Sequence, residues 1–189
     1  NYFLLLAIQL VLFGLASCDN DEQIVLSEDE LIEEYLEENE LIDSTTRTES
    51  GIYYRILQIN ESGQSPSSGE VVGVYYSANA LNEVPYDSYL NDGTNEPQRF
   101  HFNSGSVFPV SIDECVSLLR TGEIGEFYIP PSLAYGDLKG VLPNIPDGAV
   151  IKVEIELASI VTLEEIRIEE NTLIIDFIDE HQLNDSIYA

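Results

Sequence analysis

Basic residues are scarce in this chain of 189 residues, which has seven Lys and Arg side chains against 35 Asp and Glu side chains. The resulting net charge of -28 repels phosphate backbones, and the composition therefore excludes nucleic-acid binding. A solvated acidic surface that favours solubility, or adaptation to a salty habitat, explains this charge; a specific basic partner is the alternative. Hydrophobic residues make up 44% of the chain, which suffices for one core with flanking pieces.

Cysteine and histidine are also rare, with two of each, and Trp and Met are absent. Cys115 lies on the apolar face of a predicted helix and is expected to be an inert buried thiol. A catalytic cysteine would need a histidine within reach, but His181 belongs to a distant segment and nothing in the sequence links His101 to Cys115. The Cys and His spacing matches no metal site, so we predict no metal.

The longest apolar run lies at the N-terminus and covers residues 2–16. It is too short to span a bilayer comfortably and is typical of a signal-peptide hydrophobic region. It ends in L-A-S-C at residues 15–18, which resembles a bacterial lipobox, in which Cys18 carries the lipid after cleavage. We therefore expect a signal peptide over 1–17 and an extracytoplasmic protein that is lipid-anchored to a bacterial membrane, in the periplasm or at the outer membrane. The alternatives are an ordinary signal peptide or a buried strand.

Residues 18–49 are predicted to form a lipid-anchored tether and an acidic helix. Ser27 and Glu30 form a capping box, which satisfies two unpaired backbone donors at a helix start. An apolar stripe follows at helical spacing, and most other positions of the helix are acidic. The members of the stripe are Leu31, Ile32, Tyr35 and Leu36. This helix either docks on its own domain, mediates dimerisation, or remains a solvated helix with one packed stripe.

Residues 173–186 (LIIDFIDEHQLNDS) echo residues 31–44 (LIEEYLEENELIDS) at a constant offset, with six of fourteen positions identical. A period close to one domain length indicates a tandem array rather than a solenoid. Our hypothesis is that 163–189 contains a linker and the start of a second, truncated repeat, and that the natural chain is longer. Chance similarity between two acidic helices is the alternative.

The most informative stretch runs from residue 107 to 136. Ser111 and Glu114 form a second capping box, and apolar residues follow at helical spacing. Gly122 stands where a C-terminal glycine is expected. A strand over 126–129 is then stopped by Pro130-Pro131, because proline cannot donate to a strand ladder.

Three further strands are predicted, at 52–59, at 71–76, which is β-branched or aromatic except at Gly73, and at 149–160, which alternates. In the last of these, Ile151, Val153 and Ile155 point one way, and charged residues point the other. One amphipathic helix lying across an antiparallel sheet would bury both apolar faces. The sequence therefore predicts the α+β class.

Particular motifs sharpen this prediction. The order helix, Gly-Glu, strand, I-P-P-S-L-A-Y-G and I-P-D-G-A-V-I-K-V-E-I-E-L resembles the C-terminal half of an FKBP-type peptidyl-prolyl isomerase domain. Upstream, GEVVGVYYSANALNEVPYDS at residues 69–88 resembles the early strand and F-D-S segment of that family. The resemblance implies an FKBP-like domain over 50–162, with an antiparallel twisted β-sheet wrapped on one short amphipathic helix.

The resemblance also implies an aromatic proline-binding pocket that needs no nucleophile, metal or cofactor. Tyr135 would supply the hydroxyl that meets a substrate carbonyl, and Asp87 would be the carboxylate at the rim. The other implied substrate-binding residues are Tyr76, Tyr86, Phe100, Val107, Phe108, Ile112, Ile145 and Val153. Ile112 stands where the family usually has Trp, and Val153 stands where it has Phe, so the pocket has fewer aromatic rings.

The implied function is peptidyl-prolyl cis-trans isomerisation that assists the folding of exported proteins. Its partners would be proline-containing segments of those proteins, the membrane through the lipid anchor, and a possible tandem second domain. A catalytically weak or inactive module that binds peptides or proteins is the alternative. In a third possibility the domain is only a spacer within a scaffold.

Overall fold

The computed structural model describes residues 26–81, 83, 85–136, 138 and 144–183. Cys18 and the predicted signal peptide lie outside these residues, as does the end of the predicted second repeat. Among the described helices, none combines the length and the apolar character needed to cross a bilayer.

The described part of the chain forms one antiparallel sheet of seven strands, in the order β1-β2-β6-β7-β3-β4, with β5 also paired to β3. The strands are β1 (Thr46–Arg47), β2 (Tyr53–Gln58), β3 (Val71–Ala80), β4 (Asp87–Tyr89), β5 (Gln98–His101), β6 (Ile124–Ile129) and β7 (Ile151–Val161). The long central strands β3 and β7 pair along their whole length, from Val71 opposite Val161 to Ala80 opposite Ile151. The α+β prediction is confirmed.

The inner face of the sheet packs on the short helix α2 (Ser111–Ser117). Alternate residues of β7 are buried there, as the sequence predicted, and Cys115 and Val116 of α2 are fully buried in the same core. Burial raises the pKa of the Cys115 thiol, which keeps it protonated. The predicted inert thiol is therefore confirmed.

The predicted capping box of α2 is wrong. Ser111 lies inside the helix, and its hydroxyl donates to the carbonyl of Leu133 at 2.8 Å. Glu114 instead accepts from the hydroxyl of Ser50 at 2.6 Å. Gly122 has a φ of 80° but lies beyond the helix end, where its N–H donates to Leu157 at 2.7 Å. Ser111 and Glu114 bond instead to Leu133 and Ser50, which are distant in sequence, and local spacing does not reveal such partners.

A second helix, α1 (Glu28–Glu38), covers the outer face of the sheet, and its predicted capping box is present. Ile32 and Leu36 are fully buried. They pack against a patch formed by Tyr53, Tyr128 and Val150, which we call the tyrosine face. The acidic helix therefore docks on its own domain, and the packed unit begins before residue 50.

Charged groups surround the tyrosine face. Arg47 pairs with Asp29 of α1 at 2.9 Å, and the hydroxyl of Tyr53 donates to Glu33 at 2.7 Å. At the sheet surface, the buried carboxylate of Glu126 accepts from three partners. These are Arg55 (2.7 Å), Lys152 (2.7 Å) and the hydroxyl of Tyr128 (2.6 Å).

The third helix, α3 (Leu163–Glu180), follows β7 directly and begins with a capping box of Thr162 and Glu165. Residues 163–171, which were predicted to be the linker before the second repeat, are thus helical. Glu169 pairs with Arg99 of β5 at 2.9 Å. None of the eighteen described residues of α3 is buried.

Candidate active site

A cavity of about 360 Å³ opens on the inner side of the sheet. It lies between the central strands, the short strands β4 and β5, and the loops before α2 and after β6. The structure brings nine of the ten predicted binding and catalytic residues to its wall: Tyr76, Tyr86, Asp87, Phe100, Val107, Phe108, Ile112, Tyr135 and Val153. Its volume falls within the range of small-ligand sites.

Ile145, the tenth predicted residue, does not line this cavity. It lies in a small neighbouring cleft with Pro146 and Ala149, on another side of Tyr135. It packs there against the edge of the core. Ile145 therefore shares with Tyr135 the lining of this cleft and not that of the larger cavity.

Sequence reasoning missed several wall residues. Val74 and Ala78 flank Tyr76 at alternate positions of β3, and Ile151 and Ile155 flank Val153 on β7. The period-2 rule would have found them, because alternate residues of a strand share one face. Gln98, Arg99, Ser106 and Pro109 complete the lining, and no local sequence pattern identifies them.

The rim of the cavity is formed by Tyr76, Tyr135 and the carboxylate of Asp87. The hydroxyl of Tyr76 donates to Asp87 at 3.0 Å. Burial, together with this hydrogen bond, raises the pKa of Tyr76 to about 12. The bond holds an otherwise exposed carboxylate at the mouth of the cavity.

Tyr135 lies between two other aromatic rings. Its ring centroid is 5.5 Å from that of Phe108, and the Tyr86 ring meets it edge-on at 6.1 Å. The hydroxyl of Tyr86 donates to the hydroxyl of Tyr135 at 3.3 Å. Burial raises the pKa of Tyr86, so it remains a donor at neutral pH. The proton of the Tyr135 hydroxyl is thus available to a ligand.

The loop before α2 forms the open wall, where the Phe108 side chain is 63% exposed. Asp113 of α2 holds this loop, accepting from the backbone N–H of Asn103 at 2.8 Å and of Gly105 at 3.3 Å. Asp113 is itself buried. Sequence analysis did not single it out, because an acidic residue in the first turn of a helix has a sufficient local explanation.

The cavity therefore combines an apolar floor with hydroxyls and one carboxylate at its rim. Such a site can desolvate a compact apolar ring and donate a hydrogen bond to an adjacent carbonyl. Among the described residues, no group of three or more His, Cys, Asp or Glu side chains is arranged to hold a metal ion.

This fold and this pocket define the class of the protein. The family model of FKBP-type peptidyl-prolyl cis-trans isomerase matches residues 62–158. The chain belongs to this family.

Individual relatives agree. The chain is 34% identical over 126 residues to the FKBP-type 22 kDa peptidyl-prolyl cis-trans isomerase of Escherichia coli K12, a match that covers 67% of this chain and 58% of that protein. It is 32% identical over 128 residues to FkpA of Aeromonas hydrophila, with coverage of 68% and 45%. The chain thus spans about half the length of these curated relatives.

Among solved structures, a peptidyl-prolyl cis-trans isomerase of Pseudomonas syringae superposes with a TM-score of 0.56 at 19% identity. The match covers 71% of this chain and 94% of that one. At this identity the likeness concerns the fold, and it confirms the predicted FKBP-like sheet and helix.

Proposed function

We propose that this protein is a peptidyl-prolyl cis-trans isomerase that acts on exported proteins. The observation that carries the proposal is the apolar cavity with Tyr135, hydrogen-bonded by Tyr86, at its mouth. Membership of the isomerase family supports the same activity. The substrates would be proline-containing segments, with the proline ring in the cavity.

Amide resonance sets a rotation barrier of about 18–20 kcal/mol. Water stabilises the charge-separated planar amide, and the apolar floor formed by Val153, Ile112 and Phe100 would exclude that water. The bond would then lose double-bond character more readily. The hydroxyl of Tyr135 would donate to a substrate carbonyl and hold the chain while the amide rotates. Asp87 would orient the substrate at the rim.

The floor is less aromatic than is usual for the family, because Ile112 and Val153 replace larger rings. Fewer aromatic contacts to the proline ring would weaken substrate binding, whereas the hydrogen-bonding groups at the rim would remain. The rival function is therefore a module that binds proline-containing segments with little or no turnover. The Ile112 position is the observation that favours this rival.

We also propose that Cys18 carries a lipid and anchors the protein to a bacterial membrane on its extracytoplasmic side. The lipobox-like sequence supports this proposal. Acyl chains contribute about 0.8 kcal/mol per buried methylene, so more than one chain would anchor the protein firmly. Mass spectrometry of the mature protein tests this, since an unmodified Cys18 would contradict it.

Prolyl cis-trans exchange, measured by NMR on X-Pro peptides with the whole protein added, tests the isomerase function. We expect acceleration that falls about tenfold in Tyr135→Phe and less in Asp87→Ala, since one hydrogen bond contributes about 0.5–1.5 kcal/mol. Tyr89→Phe is the matched control. It also removes one hydroxyl, which bonds to the carbonyl of Glu96 away from the cavity.

Peptide binding and prolyl exchange, measured together on the parent protein, separate the isomerase from the rival, and Ile112→Trp tests whether the floor limits peptide binding. A larger ring on the floor should tighten peptide binding in both cases, because an aromatic contact adds about 0.5–1.5 kcal/mol beyond its area. Exchange in the parent supports the isomerase. Folded parent protein that binds the peptides without accelerating exchange would establish the binding module instead.

A further inference from the structure

The second half of α3 repeats α1 in backbone as well as in sequence. Each helix ends in a Schellman motif, in which the N–H of the second residue past the C-cap bonds back into the last turn. In α1 the N–H of Leu41 donates to Leu36 at 2.7 Å, and in α3 the N–H of Leu183 donates to Ile178 at 2.9 Å. These two pairs are separated by the offset of 142 residues that relates the two sequences.

An unusual backbone conformation recurs at the same place. Glu40 has a φ of 58° and Gln182 a φ of 54°. Among the described non-glycine residues, Asn103 alone joins them in the left-handed region. Residues other than glycine rarely adopt this backbone conformation. Its recurrence at equivalent positions argues against a chance resemblance between two acidic helices.

The side chains that dock α1 are also retained. α1 buries Ile32 and Leu36 on the tyrosine face, and the ring centroid of Tyr35 lies 5.7 Å from that of Tyr128. The equivalent residues of α3 are Ile174, Ile178 and Phe177. Ile174 and Phe177 are 55% and 54% exposed, so α3 presents to solvent the stripe that α1 buries.

The polar contacts of α1 are only partly retained. Glu28, which accepts from Ser132, corresponds to Glu170. Asp29, the partner of Arg47, corresponds to Asn171, and Glu33, the partner of the Tyr53 hydroxyl, corresponds to Ile175. The stripe of α3 therefore suits a related face with a less polar edge better than the tyrosine face of an identical chain.

We propose that residues 170–183 are the docking helix of a second FKBP-like domain that follows in the same polypeptide, and that its outer sheet face covers the stripe of α3. The first half of α3 follows β7 of the domain described here, and the second half would belong to the second domain. A single helix about 27 Å long would then join the two domains.

A helix graft in the full chain tests whether this segment can dock. Residues 28–41 are replaced by the sequence of 170–183, and the graft is compared with a matched control that also carries Asp at the positions of Phe177 and Ile178. We expect a cooperative graft whose Tm falls by no more than about 8 °C, because one exposed ion pair and one partly buried hydrogen bond are lost. NOEs should join the grafted phenylalanine to Tyr128. A graft that lacks these NOEs even with Asp and Glu restored at the positions of Asn171 and Ile175 would overturn the proposal.

Two further measurements identify the occupant. The gene beyond Ala189 should encode another FKBP-like strand pattern, and a stop codon directly after Ala189 would sink the proposal. Light scattering of the present chain at micromolar concentration should give a monomer. A dimer that Phe177→Asp dissociates would mean that an identical copy covers the stripe, which would also contradict the tandem arrangement.

Discussion

The hydroxyl of Tyr86 distinguishes this pocket at the residue scale, because the family motif that it matches has phenylalanine there. The extra hydroxyl donates to Tyr135 and leaves the proton of Tyr135 for the substrate. Hydrogen bonds in a chain polarise one another, so this donation should make Tyr135 a stronger donor. We therefore expect Tyr86 to act as a positioning residue that works through Tyr135.

We predict that Tyr86→Phe lowers kcat/KM for prolyl exchange about threefold, the equivalent of one weak hydrogen bond. The ring and its packing are unchanged, so stability should change little. The decisive measurement is a double-mutant cycle with Tyr135→Phe. In the Tyr135→Phe background the loss should disappear, and an equal loss in both backgrounds would show that the hydroxyl acts independently of Tyr135.

The sequence predicted the cavity residues that belong to a distinctive motif, and it missed those that only the folded chain brings to the cavity. Tyr135 and Asp87 were found because their loop and strand motifs are distinctive. Arg99 and Ser106 reach the same cavity from segments without a local signature. Ile145 lines the neighbouring cleft instead, because matching a loop position does not determine which cavity the residue reaches.

At the element scale, the cluster of charges on the outer face links β2, β6 and β7. Burial of Glu126 would raise the pKa of its carboxyl, but the hydrogen bonds from Arg55, Lys152 and Tyr128 outweigh this effect and lower it. A carboxyl whose pKa is lower in the folded state than in the unfolded state stabilises the fold at pH values above its unfolded-state pKa, which is about 4.5. This stabilisation is lost as the pH falls through the folded value.

We predict that Glu126→Gln lowers the free energy of unfolding at pH 7 by about 3 kcal/mol, because it leaves two cations at the sheet surface without their shared carboxylate. Urea unfolding at pH 7 and at pH 3 measures the effect. The difference between parent and variant should shrink at pH 3. Glu154→Gln, directly opposite on the neighbouring strand β7, is the control, since its side chain is exposed and its change should stay within about 0.5 kcal/mol.

Strand prediction succeeded for β2, β6 and β7, and in β7 the alternation of apolar and charged residues follows the alternation of burial. It missed the short strands β1 and β4 and the last four residues of β3. Helix ends were less predictable. The capping box at Ser27 formed, and the serine hydroxyl both accepts from the backbone N–H of Glu30 and donates to its carboxylate. The one at Ser111 did not, since the carbonyl of Leu133 lies within reach. The docking of α1 was left open because an apolar stripe on an acidic helix does not reveal which surface covers it.

For the whole molecule, the net charge of -28 is the dominant long-range property. A strong negative field raises the local concentration of cationic ligands and repels anionic ones, and salt screens both effects. We predict that kcat/KM for a lysine-flanked X-Pro peptide exceeds that for a glutamate-flanked one at low salt. The two values should converge above about 0.5 M NaCl, and a difference that salt leaves unchanged would point to direct contacts instead.

The docking of α1 also determines how far the domain could travel from a membrane. If residues 18–49 were a free tether, a lipid on Cys18 would allow the domain to wander more than about 100 Å from the lipid surface. With α1 packed from Glu28 onward, a lipid on Cys18, as proposed above, would be separated from the folded body by at most about 35 Å of extended chain. In that case the pocket would sample only a thin layer above the bilayer.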